Sequence, residues 1–201
     1  MDFRKRHNLS VVGIDLAGSP RRDTGICTLN QSHMTFCTTL HTDQEIIKYV
    51  ENENPTLVAI DAPLNLPPGR KSFEDRNGEH FRPCDRELLR RGIRFFPITL
   101  GPMRLLTKRG IRLKRALTAR GYSVIEVYPG AAQDIWHTGR KQDGLSKLHK
   151  GLEKLGVKGL SQELSGDELD AVTAALVGQL FLRGKAEVLG DLKRGAIVIP
   201  F

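Results

Sequence analysis

Two short apolar segments of this sequence end in the same pattern, a small residue two places before an aspartate. They are VVGID, which ends at Asp15, and LVAID, which ends at Asp61. In a β-strand alternate side chains lie on one face, so each aspartate shares a face with the small residue, Gly13 or Ala59. Neighbouring parallel strands lie about 4.8 Å apart, so two carboxylates at matching strand ends would reach one metal ion. A single such aspartate commonly caps a turn, but the repeated pattern favours a metal site.

The last strong helix of the sequence adds two more acids, Asp167 and Asp170. Ser165 and Glu168 are spaced as the N-cap and third residue of a capping box, which accounts for Glu168 structurally. Asp167 lies in the first turn, where the helix dipole favours an acid, so a structural role for it stays open. Asp170 lies beyond that turn, where aspartate has poor helix propensity. Because the two aspartates are spaced i, i+3, they can present their carboxylates to one point.

A fifth candidate acid is Glu126, which stands among apolar residues of a predicted strand over 123–128. We expect it to join the site as an outer ligand, although an acid within a strand can also face solvent at a sheet edge. Converging carboxylates repel one another unless a cation neutralises them. Oxygen ligands suit Mg²⁺ or Mn²⁺, and two such ions about 4 Å apart can stabilise both the attacking and the leaving oxygens of a phosphoryl displacement.

These acids must be positioned by the strands and helices that the sequence predicts. Three strands form a meander with a turn at 30–32, and a helix capped by Thr42 and Glu45 leads to the strand that ends in Asp61. A strand that returns beside the first through a helical crossover is parallel to it. We therefore predict an α/β fold whose mixed sheet, an antiparallel meander plus parallel strands, is flanked by helices. The predicted strands are 9–16, 24–30, 33–40, 57–61, 123–128 and 196–200, and the predicted helices are 43–52, 84–92, 101–120, 130–137, 144–155 and 166–182.

Positive charge is concentrated in one segment of the sequence. Residues 70–120 contain 15 Lys and Arg against 5 Asp and Glu, although the whole chain has a net charge of only +8. Such a region is typical of a protein with a polyanion partner, usually nucleic acid, and a solvated helix face is the simpler alternative. It belongs to a basic insertion of loops and helices at about 62–121, directly after the strand that ends in Asp61. The expected phosphate-binding residues are Arg21, Arg22, Arg82 and Arg86.

The composition is that of a globular protein, with 39% apolar and 27% charged residues in 201. No run approaches the roughly 18 apolar residues of a membrane span. The basic start lacks the apolar segment of a secretory signal, so we expect a soluble, cytoplasmic protein with no membrane partner. Cys27, Cys37 and Cys84 suggest neither a disulfide framework nor a zinc knuckle. The length predicts a single domain over residues 1–201.

Five motifs of the sequence together resemble a domain-of-unknown-function family described as predicted nucleases of the RNase H fold. The resemblance spans nearly the whole chain. It implies an RNase H-like fold and hydrolysis of nucleic acid. The motifs are GIDLAG at 13–18, IDAPL at 60–64, RPCDR at 82–86, EVYP at 126–129 and DELDA at 167–171.

The acids also resemble the active site of RuvC-type Holliday junction resolvases. Those enzymes use an acid on the first strand, an acid on the fourth, and an i, i+3 pair on the last helix. The fourth-strand acid is Asp61 here, where the resolvases carry Glu, whose side chain is one methylene longer. The RNase H pattern also includes a Glu on the first helix, which would be Glu45 here. Helix capping is the simpler explanation for Glu45. The resemblance implies the site residues Asp15, Asp61, Asp167 and Asp170.

These observations predict a nuclease that hydrolyses phosphodiester bonds with Mg²⁺ or Mn²⁺, in which Asp15, Asp61 and Asp170 bind the metal. Asp167 would assist, and Glu126 would complete the catalytic set. Two alternatives stay open. One is a nucleotide-binding phosphotransferase or ATPase of the actin-like superfamily, whose first strand also ends in Asp-x-x-Gly, although such proteins generally need two domains. The other is a nucleic-acid-binding module without catalysis.

Overall fold

A computed structural model describes residues 9–192 and 194–201 of the chain. The basic start, residues 1–8, lies outside the described residues. The strands are β1 (Ser10–Asp15), β2 (Thr24–Asn30), β3 (His33–Leu40), β4 (Leu57–Asp61), β5 (Val124–Val127), β6 (Ala186–Asp191) and β7 (Gly195–Pro200). The helices are α1 (Asp43–Glu53), α2 (Pro83–Arg90), α3 (Gly101–Ala119), α4 (Pro129–Trp136), α5 (Leu145–Lys154) and α6 (Gly166–Leu182), and a 3₁₀ turn covers Lys141–Asp143. None of these helices is long and apolar enough to cross a membrane.

The sheet combines an antiparallel meander with parallel strands, in the order β3-β2-β1-β4-β5-β7-β6. The first three strands are antiparallel neighbours. In contrast, β4 pairs in parallel with β1, β5 with β4, and β7 with β5. The crossover through α1 returns the chain to the side of β1, which makes the parallel β1–β4 pair possible. This arrangement confirms the predicted α/β fold class, in which helices flank a mixed sheet made of an antiparallel meander and parallel strands.

The two faces of the sheet are covered by different helices. On one face α6 packs against Val11, Ala59 and neighbouring apolar side chains. On the other face α1 and α3 enclose a second core around Ile14. Helix α6 lies very close to the sheet, because a Cβ on Gly13 would be 2.1 Å from the carbonyl oxygen of Ala171. The small residue before the first aspartate therefore makes room for a helix.

Local sequence signals predicted the first half of the fold well. The side chain of Thr42 accepts a hydrogen bond from Glu45 N at 3.2 Å, and the Glu45 carboxylate accepts one from Thr42 N at 2.8 Å, so the predicted capping box is present. Between β2 and β3, Gln31 and Ser32 have positive φ angles of 50° and 70°. Such angles suit a tight turn between two twisted strands. The turn and the cap together set the ends of the meander and the start of the crossover.

Helix α3 is fastened to α1 by an arginine that belongs to the basic segment of the sequence. Arg109 is 3% exposed, and it donates hydrogen bonds to Asp43 Oδ1 and to the carbonyl oxygen of Ala17, both at 2.7 Å. Arg112 is exposed and donates to Asp43 Oδ2 at 2.7 Å. Part of the positive charge at 70–120 therefore holds the fold together.

Two elements of the structure have no counterpart among the predictions. Strand β6 contains Gly190 and Asp191, residue types with low strand propensity, and it lies at the edge of the sheet beside β7. The other element is the 3₁₀ turn at Lys141–Asp143, which lies between Gly139, with a φ of 78°, and Gly144, with a φ of 116°. Such a short turn has no hydrophobic period by which a sequence could reveal it.

Candidate functional site

Asp15 and Asp61 lie side by side at the ends of two parallel strands. The register of β1 and β4 pairs Gly13 with Ala59 and Asp15 with Asp61. Because they are in register, the two carboxylates lie on the same face of the sheet, at the carboxyl ends of their strands. Neighbouring strands are about 4.8 Å apart. This placement is the one that the repeated strand pattern predicts.

Helix α6 brings Asp167 and Asp170 over the same edge. Its first turn crosses β2, where a Cβ on Gly25 would be 2.1 Å from the carbonyl oxygen of Asp167. Glycines in two strands therefore let the helix backbone approach the sheet closely, and Asp170 becomes only 7% exposed. We refer to Asp15, Asp61, Asp167 and Asp170 as the carboxylate cluster.

A lysine that the sequence analysis did not single out lies at the centre of the carboxylate cluster. The Lys141 ammonium nitrogen is 3.1 Å from Asp15 Oδ2, 2.7 Å from Asp167 Oδ1 and 2.9 Å from Asp170 Oδ2. Each of its three N–H donors therefore has a carboxylate acceptor. No spacing rule connects Lys141 with these acids, because it lies 126 residues from Asp15 along the chain.

A second residue outside the predictions, Gln133 on α4, orients Asp170. It is 1% exposed, and its Nε2 donates hydrogen bonds to Asp170 Oδ1 at 2.6 Å and to Thr173 Oγ1 at 3.2 Å. Asp170 therefore has a donor on each oxygen, Gln133 on one and Lys141 on the other. In the sequence PGAAQDIW this glutamine follows two alanines that are buried with it. A polar residue in such a small, buried stretch is the signal by which the sequence could reveal it.

Burial makes the two strand carboxylates of the cluster hard to ionise. Loss of solvent raises the pKa of Asp15 to about 7, although the positive charge of Lys141 opposes the shift. Burial, and after it the charges of Asp15 and Asp170, raise the pKa of Asp61 well above its usual range. The carboxylate cluster contains four carboxyl groups and one ammonium group, so its positive charge does not balance the negative charge of the ionised acids.

The chemistry of the carboxylate cluster fits a divalent cation. Its donors are carboxylate oxygens, which suit Mg²⁺ or Mn²⁺. Within residues 9–192 and 194–201, the Asp61 side chain has neither a hydrogen-bond donor nor an ion-pair partner. In that part of the chain no three His, Cys, Asp or Glu side chains are spaced to hold a metal ion as they stand. Asp15, Asp167 and Asp170 are instead arranged around the ammonium group of Lys141.

Glu126 lies on the other face of the sheet. It is in register with Ile60 rather than with Asp61, and successive residues of a strand point to opposite faces. Glu126 is 6% exposed, and it accepts two hydrogen bonds from Arg82, both 2.6 Å, and one from Leu64 N at 2.7 Å. The structure therefore does not bring Glu126 together with the four aspartates.

Arg82 lies inside the protein, away from the surface where a phosphate could meet it. It is 1% exposed, and in addition to Glu126 it binds both carboxylate oxygens of Asp85, at 3.0 and 2.7 Å. Four of its five N–H donors are occupied by these two acids. Its arginine side chain completes a buried ion-pair network, a role that the sequence motif does not distinguish from phosphate binding.

The other three expected phosphate-binding arginines are exposed. Arg21 and Arg22 lie in the loop after β1, and Arg22 lines a cavity of about 350 Å³ that opens onto the carboxylate cluster. Arg86 is on α2, where its guanidinium is 2.6 Å from the Glu79 carboxylate and half exposed. All three are therefore accessible to a ligand.

A larger groove with positively charged walls runs beside α3. It encloses about 900 Å³ between this helix and the loop at 64–74. Among its described lining residues the acid is Glu74. We call it the basic groove, and its cationic residues are Arg70, Lys71, Lys108, Arg112, Lys114 and Arg115.

Comparisons with known proteins give a family and a distant structural likeness. The sequence model of a family described as "Protein of unknown function (DUF429)" matches residues 13–194. No curated protein matches the sequence. Among solved structures, the RuvC structure from Thermus thermophilus is similar over 96% of this chain and 99% of that chain, with 11% sequence identity and a TM-score of 0.47. Neither likeness names an activity for this chain, and the site itself is the guide to its function.

Proposed function

Because the chain belongs to the DUF429 family, whose description names no activity, we propose a function from its site: a metal-dependent nuclease that hydrolyses phosphodiester bonds of nucleic acid. The observation that carries the proposal is the register of β1 and β4, which sets Asp15 beside Asp61 beneath the acids of α6. Carboxylates gathered at one sheet edge, next to a cavity, suit phosphodiester hydrolysis with divalent metal ions.

Each member of the carboxylate cluster has a role in this proposal. Asp15, Asp61 and Asp170 would hold Mg²⁺ or Mn²⁺, and Asp167 would assist from the rim. When bound, metal ions at such a site supply charge that stabilises both the attacking and the leaving oxygens of the phosphate. Gln133 keeps the Asp170 carboxylate turned toward the cluster through its 2.6 Å hydrogen bond.

Helix α3 would connect the cluster to the nucleic acid. The cavity beside Asp15 is lined by residues of the first turns of α3 and by Arg22. The basic groove lies along the later turns of the same helix. We propose that Arg21 and Arg22 bind phosphates near the cluster, that Arg86 on α2 binds a further phosphate, and that the basic groove holds the backbone of the nucleic acid.

Glu126 and Arg82 would have a supporting role, in place of the catalytic and phosphate-binding roles that the sequence suggests. Their ion pair is buried on the opposite face of the sheet. Glu126 also accepts a hydrogen bond from Leu64 N, so it fixes the backbone that leaves Asp61. Removal of Arg82 would leave the carboxylates of Glu126 and Asp85 buried without the guanidinium group that pairs with both.

We further propose that residues 1–201 form one domain with a basic insertion at about 62–121, and that the protein acts in the cytoplasm. Helix α3 of the insertion packs Leu113 and Leu117 into the core beneath the sheet. Its packing there supports an insertion that folds together with the rest of the domain.

The direct test is cleavage of nucleic acid by the purified full chain. Labelled single-stranded, duplex and branched DNA and RNA are incubated with Mg²⁺ or Mn²⁺, and the products are separated on gels. We expect at least one substrate to be cleaved. In Asp15→Asn and Asp170→Asn we expect the rate to fall at least about 100-fold, because each removes a charge that would hold the metal.

Glu51→Gln is the matched control for these variants. Glu51 pairs with Arg120 at the surface, where both side chains are nearly half exposed, and such a pair contributes little to stability. Its rate of cleavage should equal that of the wild type. If no substrate is cleaved, or if Asp15→Asn cleaves as fast as the wild type, the proposal is wrong.

One observation favours a second candidate function, a nucleic-acid-binding module without catalysis. The Lys141 ammonium already lies within 3.1 Å of three carboxylates. A module of this kind would bind nucleic acid with an affinity that falls steeply with salt and is the same with Mg²⁺ as with EDTA. Fluorescence anisotropy of a labelled oligonucleotide, with and without the metal, distinguishes it from the nuclease.

A further inference from the structure

Lys141 is built into the carboxylate cluster. Its aliphatic chain crosses the first residue of α6, where a Cβ on Gly166 would be 2.9 Å from Lys141 Cδ. Glycine is a poor helix former, but here it leaves the space that the lysine side chain needs. The ammonium group then reaches three acids, one on β1 and two on α6.

The segment that carries Lys141 is a short turn outside the α-helices and strands. The lysine begins a single 3₁₀ turn between α4 and α5, with Gly139 and Gly144 on either side at positive φ. Within the turn, Arg140 N donates to Asp143 Oδ2 at 2.8 Å, so the turn is held by its own hydrogen bond. Withdrawal of the lysine head group therefore requires only rotation of a flexible side chain and adjustment of a short turn.

The ammonium group occupies the position that a divalent cation needs. It contacts oxygens of Asp15 and Asp170 at 3.1 and 2.9 Å, and both residues are metal ligands in the proposed function. Two cations within a few ångströms of one another repel strongly at a site that is partly removed from water. The cluster can therefore hold the lysine head group or a metal ion at its centre, but not both.

We propose that Lys141 is a tethered cation, which fills the carboxylate cluster until a divalent metal ion displaces it. The inference rests on the proposed function in one respect, since both place a metal ion among the same acids. Lys141 is a positioning residue in this scheme: it holds Asp15, Asp167 and Asp170 together while no metal is bound, and it sets the metal affinity by competition.

The first experiment measures Mn²⁺ binding to the full chain by calorimetry, without nucleic acid. We expect Lys141→Met to bind Mn²⁺ at least about 10-fold more tightly than the wild type, because no competing charge has to leave. Lys150→Met is the matched control, since Lys150 is exposed on α5 and its loss changes the net charge equally. Its Mn²⁺ affinity should equal that of the wild type.

Two further measurements remain informative if Lys141→Met does not fold. Gly166→Ala keeps every charge but places a methyl group 2.9 Å from Lys141 Cδ, so Mn²⁺ should bind more tightly than in the wild type. In the wild-type protein, acetylation of lysines is followed by mass spectrometry. Lys141 should react slowly without metal and several-fold faster in saturating Mn²⁺, whereas Lys150 should react at the same rate in both.

The outcomes separate this inference from the nuclease proposal. Three results would each overturn the tethered cation. They are equal Mn²⁺ affinity in the wild type and Lys141→Met, no Mn²⁺ binding by either protein, and a rate of Lys141 acetylation that saturating Mn²⁺ does not change. The cleavage assay would decide the nuclease independently. Tighter Mn²⁺ binding by Lys141→Met in a protein that cleaves no nucleic acid would support the tethered cation and refute the nuclease.

Discussion

Gln133 is a residue whose replacement should disturb the carboxylate cluster without changing its charge. Gln133→Leu approximately preserves the volume of the side chain and removes the 2.6 Å donor to Asp170 Oδ1. A buried acceptor that loses its donor costs about 1–3 kcal/mol. We expect the free energy of unfolding in urea to fall by about that amount, and the Mn²⁺ affinity to fall about 10-fold.

The control for this variant is Gln44→Leu, since Gln44 is exposed on α1. Surface substitutions of this kind change stability by less than about 0.5 kcal/mol. If Gln133→Leu were as stable as Gln44→Leu and bound Mn²⁺ normally, α6 alone would be sufficient to orient Asp170.

At this scale the sequence predicts a site residue when a local pattern repeats. Asp15 and Asp61 end matching strands, and the structure pairs them in register. Glu126 shows the limit of such reasoning, because one step of register, from Asp61 to Ile60, places it on the opposite face. The register of β5 depends on how the whole sheet packs. Lys141 could not be predicted, because its contacts depend on a turn that only the folded chain forms.

At the scale of elements, the contact between α6 and β1 leaves no room for a methyl group. A Cβ on Gly13 would be 2.1 Å from Ala171 O and 2.5 Å from Ala175 N, and both atoms belong to the helix backbone. Gly13→Ala must therefore push α6 away from the sheet, at a cost of about 1–3 kcal/mol or more. We expect a lower Tm by scanning calorimetry and weaker Mn²⁺ binding, because Asp170 moves with the helix.

Gly18→Ala is the comparison for that change, because it adds the same methyl group close to the end of β1. The nearest atom to a Cβ on Gly18 is Leu106 N at 3.4 Å, an ordinary contact distance. Its Tm should match that of the wild type. A Gly13→Ala protein with an unchanged Tm would contradict the close approach of α6.

The contact between α1 and α3 makes stability depend on pH. Burial opposes ionisation of Asp43, but hydrogen bonds from Arg109 and Arg112 outweigh it and hold the pKa of Asp43 below its usual value. A carboxyl group of this kind stabilises the fold above its ordinary pKa of about 4, and the contribution is lost as pH falls through the lowered value.

Asp43→Asn tests this dependence. At neutral pH we expect the free energy of unfolding to fall by about 2 kcal/mol, because the buried guanidinium of Arg109 loses its charged partner. Urea denaturation at a series of acidic pH values should then show a smaller loss of stability than in the wild type. An equal loss in both proteins would show that Asp43 does not carry the effect.

At the scale of the whole molecule, helix α3 lines both the basic groove and the cavity beside the carboxylate cluster. Replacement of Lys108 and Arg115 by Gln removes two groove cations. We expect weaker binding of nucleic acid in fluorescence anisotropy and a plot of log affinity against log salt that is less steep by about 2. The same exchange at Lys150 and Lys154, exposed on α5, is the control. An equal effect in both double variants would assign binding to net charge instead of to the groove.

The overall topology could be predicted because few arrangements satisfy the order of the elements. A meander followed by a helical crossover leaves β4 one favourable place, beside β1 and parallel to it. Strand β6 was missed because its pairing with β7 supplies what its own sequence lacks. The buried network of Arg82 was missed for a similar reason, since a charged residue in a motif looks the same whether its partner is an acid or a phosphate.

The carboxylate of Glu126 also closes a loop. It accepts hydrogen bonds from Leu64 N and from Arg82, so both ends of residues 65–81 are fixed to one side chain on β5. Residues of this loop form one wall of the basic groove. Because both ends of this loop are fixed, we expect its length and sequence to tolerate change while the end of β4 and the start of α2 stay in place. Under the proposed function, we therefore expect that the choice of nucleic acid can change in evolution without a change in the carboxylate cluster.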